Sequence, residues 1–373
     1  MPRPKLLLLF EYPTLSGGEF SMLTMLETLG RTQFEFVAAA PPSGPLTRRL
    51  QQCGIKVLPL TLTDEKGRKL PVDQISSHLL DLVTRVCPAL VHANSLSMGR
   101  MLGRIAPQVA VPCTSHIRDI IKLNSKAVSD LNRNAALIAV SEATRRFHFE
   151  QGISSDKLHV IYNGVNTELF SPAPATGILR KELGLGDTAL LCANIGQICL
   201  RKGQTLLARA AAALAEELPH ANYLFVGQRY SRKRESIAYE EDIERIFRQA
   251  HIEDRLFRLG FRDDVPAILN EIDLLVHTAH QEPLGRVLLE AASCGRAIIA
   301  TNVGGTPEIL TDEVSALLVP PDDLEALTAA IRRMLTDRPL RTRLGREAQR
   351  VALEKFALPT AAANVSIFWK SFL

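Results

Sequence analysis

KLLLLFEYPTLSGGEFSMLTMLETLGRTQFEFVAA (5–39) decides the fold. KLLLLF (5–10) is an apolar run of strand length, a helical pattern covers 22–29 and stops at Gly30, and FEFVAA (34–39) is a second β-rich run. Strand, helix and strand in succession give a parallel sheet covered by helices on both faces. The rhythm continues through a helix at 45–53 ended by Gly54, then IKVLPL (55–60), ALVHAN (89–94), VPCTSH (111–116) and ALIAVS (136–141), where Ser141 is the expected N-cap of a helix closed by Gly152. Pro172, Pro174, Gly177, Gly184 and Gly186 then mark a connection. A second series follows: TALLCANIG (188–196), NYLFVG (222–227), RLFRLG (255–260), DLLVHT (273–278), AIIAT (297–301) and ALLVP (316–320). From Leu324 onward the pattern is helical, and its last segment must bury Phe368, Trp369 and Phe372, which predicts a final helix packed on a neighbouring domain. The expected fold class is α/β with two Rossmann-like, doubly wound parallel-sheet domains, 1–170 and 171–355, and a closing helix at 356–373. Open parallel sheets bind ligands at the carboxyl ends of their strands, so the expected place for chemistry is a cleft between the domains.

The chain has 373 residues, 46% of them hydrophobic and 23% charged, which suits two domains and excludes disordered, collagen-like or disulfide-scaffold proteins. KLLLLF is far shorter than the roughly 20 residues that span a bilayer, and no signal-peptide cleavage pattern follows it. Six cysteines without a C-x-x-C pair suggest neither a zinc site nor disulfides, and point to a reducing cytoplasm. The net charge of +4 is too small to imply nucleic acid. It is uneven, with 19 Lys and Arg against 14 Asp and Glu in 1–170 and 25 against 26 afterwards. A basic front half is compatible with peripheral contact with anionic lipid on the inner face of the cytoplasmic membrane, although a solvated face is the commoner explanation of such a balance.

Five constellations carry chemistry. Gly17-Gly18 after the first strand opens a helix and lets backbone N–H groups approach an anion; a tight turn needing positive φ is the plainer explanation. QICLRKG (197–203) follows another strand, and its Arg201 and Lys202 suit a diphosphate. HQEPLGRVLLEAASCG (280–295) places Glu282 in a turn and Glu290 within an apolar helix. There a carboxylate needs hydrogen-bond partners such as sugar hydroxyls, unless it turns out to water. NVGGTPE (302–308) is a second glycine pair at a strand end with good helix-start chemistry. In SHIRD (115–119), His116 ends a strand and can donate a hydrogen bond or act as acid or base.

Taken in order, these segments resemble the retaining glycosyltransferases of family four, which have the GT-B fold. The marker is E-x(7)-E, here Glu282 and Glu290, in EPLGRVLLEAASCG followed by GGTPE; VSEATRRF (140–147), VIYNGVNTELF (160–170), Lys202-Gly203 and LGFRDDV (259–265) also match. The resemblance implies a closing helix that packs back on the N-terminal, acceptor-binding domain, with the C-terminal domain binding a nucleotide sugar. By it Glu290 holds ribose hydroxyls, and Glu282 with the backbone of Leu284, Gly285 and Arg286 holds the sugar and phosphates. Lys202 neutralises the diphosphate, Gly18 faces it from the other domain, and His116 lies near the transferred sugar. The backbone around Phe261 and Arg262 forms the base-binding turn. Gln197 stands where the family carries Arg, with Arg201 as a replacement, and Asn166 stands where it carries Asp.

The activity implied is transfer of a hexosyl unit from a UDP- or GDP-sugar to a glycan or lipid-linked glycan, with retention, no metal and no cofactor, in cell-surface polysaccharide or lipopolysaccharide assembly. Fixed cations and amides at the departing phosphates are the physical source of rate in such a transfer. The alternatives are a binding subunit without turnover, supported by Gln197, and a sugar-nucleotide epimerase.

Overall fold

Side chains alternate across a strand, so Leu6 and Leu8 face one side of the first strand while Leu7 and Leu9 face the other. All four are buried: Leu6 and Leu8 pack in a cluster with Phe34, Phe36 and Trp369, and Leu7 and Leu9 in another with Val37, Leu79 and Leu102. A strand covered on both faces needs an unbroken apolar run, which is what parallel sheets between helical layers require.

The computed structural model describes residues 3–373. The first sheet contains β1 (Lys5–Leu9), β2 (Glu35–Ala40), β3 (Lys56–Pro59), β4 (Leu90–Ala93), β5 (Cys113–Ile117), β6 (Ala136–Ala139) and β7 (Leu158–Val160). Its strands are all parallel, in the order β3-β2-β1-β4-β5-β6-β7. The second contains β8 (Leu190–Ile195), β9 (Ala221–Val226), β10 (Leu256–Gly260), β11 (Leu274–His277), β12 (Ala297–Thr301) and β13 (Leu317–Val319). It too is parallel, in the order β10-β9-β8-β11-β12-β13. The helix Gly17–Leu29 stops at Gly30, whose φ of 59° lies in the left-handed region. Ser141 caps the helix Glu142–Glu150 by accepting the Thr144 N–H at 3.0 Å.

The chain divides into two units, one of residues up to Gly164 with Leu358–Leu373, the other Val165–Ala357. The divisions lie at 164/165 and 357/358, against the expected 170/171 and 355/356. Val165 forms a β-bridge with Ala357 and donates its N–H to the Phe356 carbonyl, which ties both ends of the second unit together. The helix Leu358–Lys370 packs against Gly17–Leu29 within the first unit. Trp369 is fully buried there, edge-on to Phe34 and Phe36, a burial worth about 4–6 kcal/mol before entropy. No helix among the described residues is long and apolar enough to cross a membrane.

Candidate active site

In the second sheet the strand order turns between β8 and β11, the kind of switch point at whose carboxyl ends open parallel sheets bind ligands, and the loops leaving these two strands meet there. Lys202 comes from the loop after β8 and Glu282 from the loop after β11, 80 residues apart in sequence. The loops are stitched by the His280 N–H donating to the Arg201 carbonyl at 2.9 Å, the Thr278 hydroxyl to the Lys202 carbonyl at 3.1 Å, and Arg201 Nη1 to the Gln281 carbonyl at 2.9 Å. Gly203 makes this approach possible: its φ is +62°, and a Cβ there would lie 2.1 Å from the Thr278 carbonyl oxygen.

Two side chains converge on one oxygen of Glu282. Lys202 Nζ donates to Glu282 Oε2 at 2.5 Å, and His277 Nε2, at the end of β11, lies 3.0 Å from the same atom. Burial pushes the Glu282 carboxyl up, but the charge of Lys202 and the hydrogen bond from His277 outweigh it and hold Glu282 ionised, well below the usual carboxylate range. Burial, helped by Lys202, pushes His277 down, so its ring is neutral. A neutral ring that donates from Nε2 has a lone pair on Nδ1, and that atom is buried without a partner. The result is a desolvated carboxylate flanked by a fixed cation and a neutral imidazole, suited to a polyhydroxyl, anionic ligand.

The turn that carries Glu282 rests on the second glycine pair. The Gly305 N–H donates to the Glu282 carbonyl at 2.9 Å. A Cβ on Gly304, whose φ is +53°, would lie 2.0 Å from that carbonyl oxygen, and one on Gly305 would lie 2.5 Å from the Pro283 oxygen. NVGGTPE is therefore a bed for the Glu282 turn, a role that helix-start chemistry did not suggest. Gly304→Ala combines a left-handed strain with a backbone clash and is expected to cost about 2 kcal/mol or more in chemical denaturation. An unchanged midpoint would contradict the close packing.

Leu284 is buried and Gly285 has a φ of +107°, opening the helix Arg286–Ser293. Glu290 does not turn to water: it is 5% exposed and faces Arg286 Nε at 3.2 Å, and burial raises its carboxyl above the usual range against the pull of that guanidinium. Gln197 is exposed, and its carbonyl accepts from Gln204 Nε2. Phe261 is 64% exposed, and the Arg262 guanidinium is committed to Asp264 and Glu182 at 2.6–2.7 Å. No hydrogen bond among the described residues links these two to the Lys202 cluster. Sequence reasoning missed His277 and Thr278; DLLVHT was legible as a strand, and a histidine at its carboxyl end is the same signal that marked His116.

The first sheet turns between β1 and β4, and the loops after them meet likewise. Ser97 Oγ donates to Glu11 at 3.0 Å, Asn94 Nδ2 to the Gly18 carbonyl at 3.2 Å, and Arg118 to Asn94 and, at 2.7 Å, to Asn163. Neither Gly17 nor Gly18 has positive φ. A Cβ on Gly18 would lie 2.9 Å from Arg118 Cδ, so the arginine would have to shift, whereas Gly17 has open space. His116, on β5, is buried, and its Nδ1 lies 2.7 Å from Nε2 of His92 on β4. Among the described residues, no group of three or more His, Cys, Asp or Glu is placed to hold a metal ion.

Two family profiles match the chain: Glycosyltransferase Family 4 over residues 15–169 and Glycosyl transferases group 1 over residues 176–351. The chain belongs to the family 4, group 1 glycosyltransferases. It is 28% identical over 88% of its length to a UDP-Gal:alpha-D-GlcNAc-diphosphoundecaprenol alpha-1,3-galactosyltransferase of Escherichia coli, covering 87% of that protein. To the lipopolysaccharide glucosyltransferase WaaG of Escherichia coli it is 31% identical over half of its length and 49% of that protein. The fold is shared with Anabaena Alr3699/HepE, solved with UDP-glucose, at a TM-score of 0.88 over 99% of this chain and all of that one, with 23% identity. The transferase therefore has the GT-B fold.

The buried histidines give this transferase an acid-sensitive core. Burial, with Arg118 nearby, lowers His92 to about 3 and His116 well below its ordinary value of 6.5, and burial lowers His148 and His277 too. Each ring is neutral when folded and takes a proton once unfolded below pH 6.5, so the unfolded chain binds more protons and stability falls with falling pH. For His92 alone the loss from pH 6.5 to 5 is about 2 kcal/mol. Glu282 adds to the loss below its ordinary 4.5, while relief of the raised Glu290 opposes it. The expected outcome is a melting temperature that drops steadily from pH 6.5 to 4.5; a flat profile would contradict neutral burial.

Proposed function

We propose that the transferase moves a hexosyl unit from a UDP- or GDP-sugar to a glycan or lipid-linked glycan acceptor with retention of anomeric configuration, in surface polysaccharide or lipopolysaccharide assembly. The observation that carries this reading is the buried, ionised Glu282 shared by Lys202 and His277 where the second sheet changes direction. Lys202 is the cation for a diphosphate, Glu282 and the turn Leu284–Gly285–Arg286 take sugar and phosphate groups, and Glu290 takes ribose hydroxyls. The backbone at Phe261 and Arg262 takes the base, and His116 donates to a sugar hydroxyl. In the reaction the bond from the anomeric carbon to the departing phosphate oxygen breaks, and the acceptor oxygen bonds on the same face. The acceptor's proton passes to the leaving phosphate. Negative charge grows on that phosphate, where Lys202 and backbone amides stabilise it most. The reading needs neither metal nor cofactor.

The Escherichia coli galactosyltransferase, whose name specifies UDP-Gal and a diphosphoundecaprenol-linked sugar, supports the donor and acceptor classes. Six unpaired cysteines accord with a cytoplasmic location, and the basic front half with contact at an anionic membrane face. The test is incubation with UDP- and GDP-hexoses and a lipid-diphosphate sugar, with the product anomer read by NMR. A retained configuration is expected, and an inverted one would overturn the mechanism. A second reading, a binding subunit without turnover, is favoured by the neutral, exposed Gln197 in the place of the family's Arg. It predicts nucleotide binding without transfer or donor hydrolysis.

A further inference from the structure

Trp369 Nε1 is a donor with no acceptor capacity, and in the closing helix it points at His92 Nδ1 from 3.2 Å. His92 Nδ1 is therefore the accepting nitrogen of a neutral ring, which leaves the proton on Nε2. That N–H is directed at His116 Nδ1, 2.7 Å away in a buried contact. His116 Nδ1 must then accept, which places the His116 proton on Nε2, the nitrogen that its protein hydrogen bonds leave unused. The Thr114 hydroxyl lies 2.8 Å from His92 Nδ1: in this arrangement it donates to Nδ1 and shares its single lone pair with the indole N–H, and in the other it would accept from Nδ1–H and donate to the Val91 carbonyl at 3.4 Å. Only the indole N–H forbids the second arrangement, since it would face another N–H.

We propose that Trp369 and His92 are positioning residues which fix the tautomer of His116, so that His116 meets substrate as a hydrogen-bond donor from Nε2 and not as a base. The closing helix thereby acts on His116 without touching substrate. All members lie in one unit, since the helix Leu358–Lys370 belongs with residues up to Gly164. The buried surroundings and the charge of Arg118 keep both rings neutral, so their tautomers are set by hydrogen bonds alone. Without the indole N–H, His92 can shift its proton to Nδ1 and donate to Thr114. His92 Nε2 would then accept from His116 Nδ1, and His116 Nε2 would present a lone pair where a donor is needed. The tautomer stands on the geometry; its catalytic consequence rests on the reading of His116 given above.

The test is long-range 1H–15N NMR of the full-length chain labelled on histidine nitrogens, with His92 and His116 assigned by loss of their signals in single variants. In the wild type, both rings are expected to carry a protonated Nε2 and an unprotonated Nδ1; a proton on His116 Nδ1 would overturn the proposal. Trp369→Phe keeps an apolar ring and removes the donor, and is expected to invert both tautomers and lower kcat about tenfold or more. Tautomers unchanged in that variant would overturn the role of Trp369. In Trp369→Phe/His92→Gln the glutamine Nε2 donates to His116 without help from Trp369, so the His116 proton should return to Nε2 and turnover should recover in part. A packing role alone would leave the tautomers unmoved and turnover unrescued. If no donor is turned over by the wild type, the function reading fails, while the wild-type spectrum still decides the tautomer. Inversion without loss of turnover would overturn the catalytic half of the proposal.

Discussion

Lys202→Ala is expected to weaken binding of the nucleotide diphosphate by about 1.5–3 kcal/mol, or about 10–150-fold, the usual worth of a hydrogen bond to a charged group. It is also expected to lower kcat by about 100-fold, because in the proposed reaction this cation stabilises the phosphate on which charge develops. Lys202 Nζ lies 2.5 Å from Glu282 Oε2, and both side chains are largely buried. Removing the lysine alone therefore leaves a buried carboxylate with only His277 beside it, and breaking such a pair from one side costs about 3–5 kcal/mol of stability. Lys202→Met/Glu282→Gln removes both charges and separates the two effects, since the double variant should fold better than Lys202→Ala while its affinity stays low. Isothermal titration with UDP and GDP measures the binding, and wild-type affinity in Lys202→Ala would contradict the role of the lysine.

Glu282→Gln keeps the shape of the side chain and removes its charge. The carboxylate accepts from Lys202 and His277 on Oε2, and as an ionised acceptor it can take two further donors from a sugar. A carboxamide carries an N–H₂ group, so either it faces the donors Lys202 and His277 or it turns its donor toward the sugar. The expected result is a loss of about 10²-fold in kcat/KM, the worth of a charge-assisted hydrogen bond to the sugar. Binding of the bare nucleotide should change far less, because Lys202 and the backbone remain. Equal losses for nucleotide binding and for sugar transfer would contradict a role of Glu282 at the sugar.

The alternation of strand and helix was legible because strands buried on both faces need continuous apolar runs: leucines 6–9, ALIA at 136–139 and AIIAT at 297–301 all read directly. Lys202, Glu282, Glu290 and His116 were legible as charged or titratable residues at strand ends or within an apolar helix. Their grouping was not. That Lys202 meets Glu282 depends on β8 lying beside β11, a pairing set by strand order and not by local sequence. The same holds for the bed formed by Gly304 and Gly305 beneath the Glu282 turn, since each glycine pair read alone looks like a helix start. Trp369 read as an aromatic in need of burial. Its N–H contact with His92, 277 residues away, exists only once the last helix is docked.

Thermal unfolding of the purified wild type and Lys202→Ala with UDP, GDP, ADP, CMP and NAD decides whether Lys202 organises a nucleotide-diphosphate site. A ligand at 100 times its Kd stabilises the folded chain by about 2.7 kcal/mol, enough to raise Tm by several degrees. The expected result is such a rise with UDP or GDP in the wild type, and a much smaller one in Lys202→Ala. A rise with NAD, or an equal rise with UDP or GDP in both proteins, would contradict it.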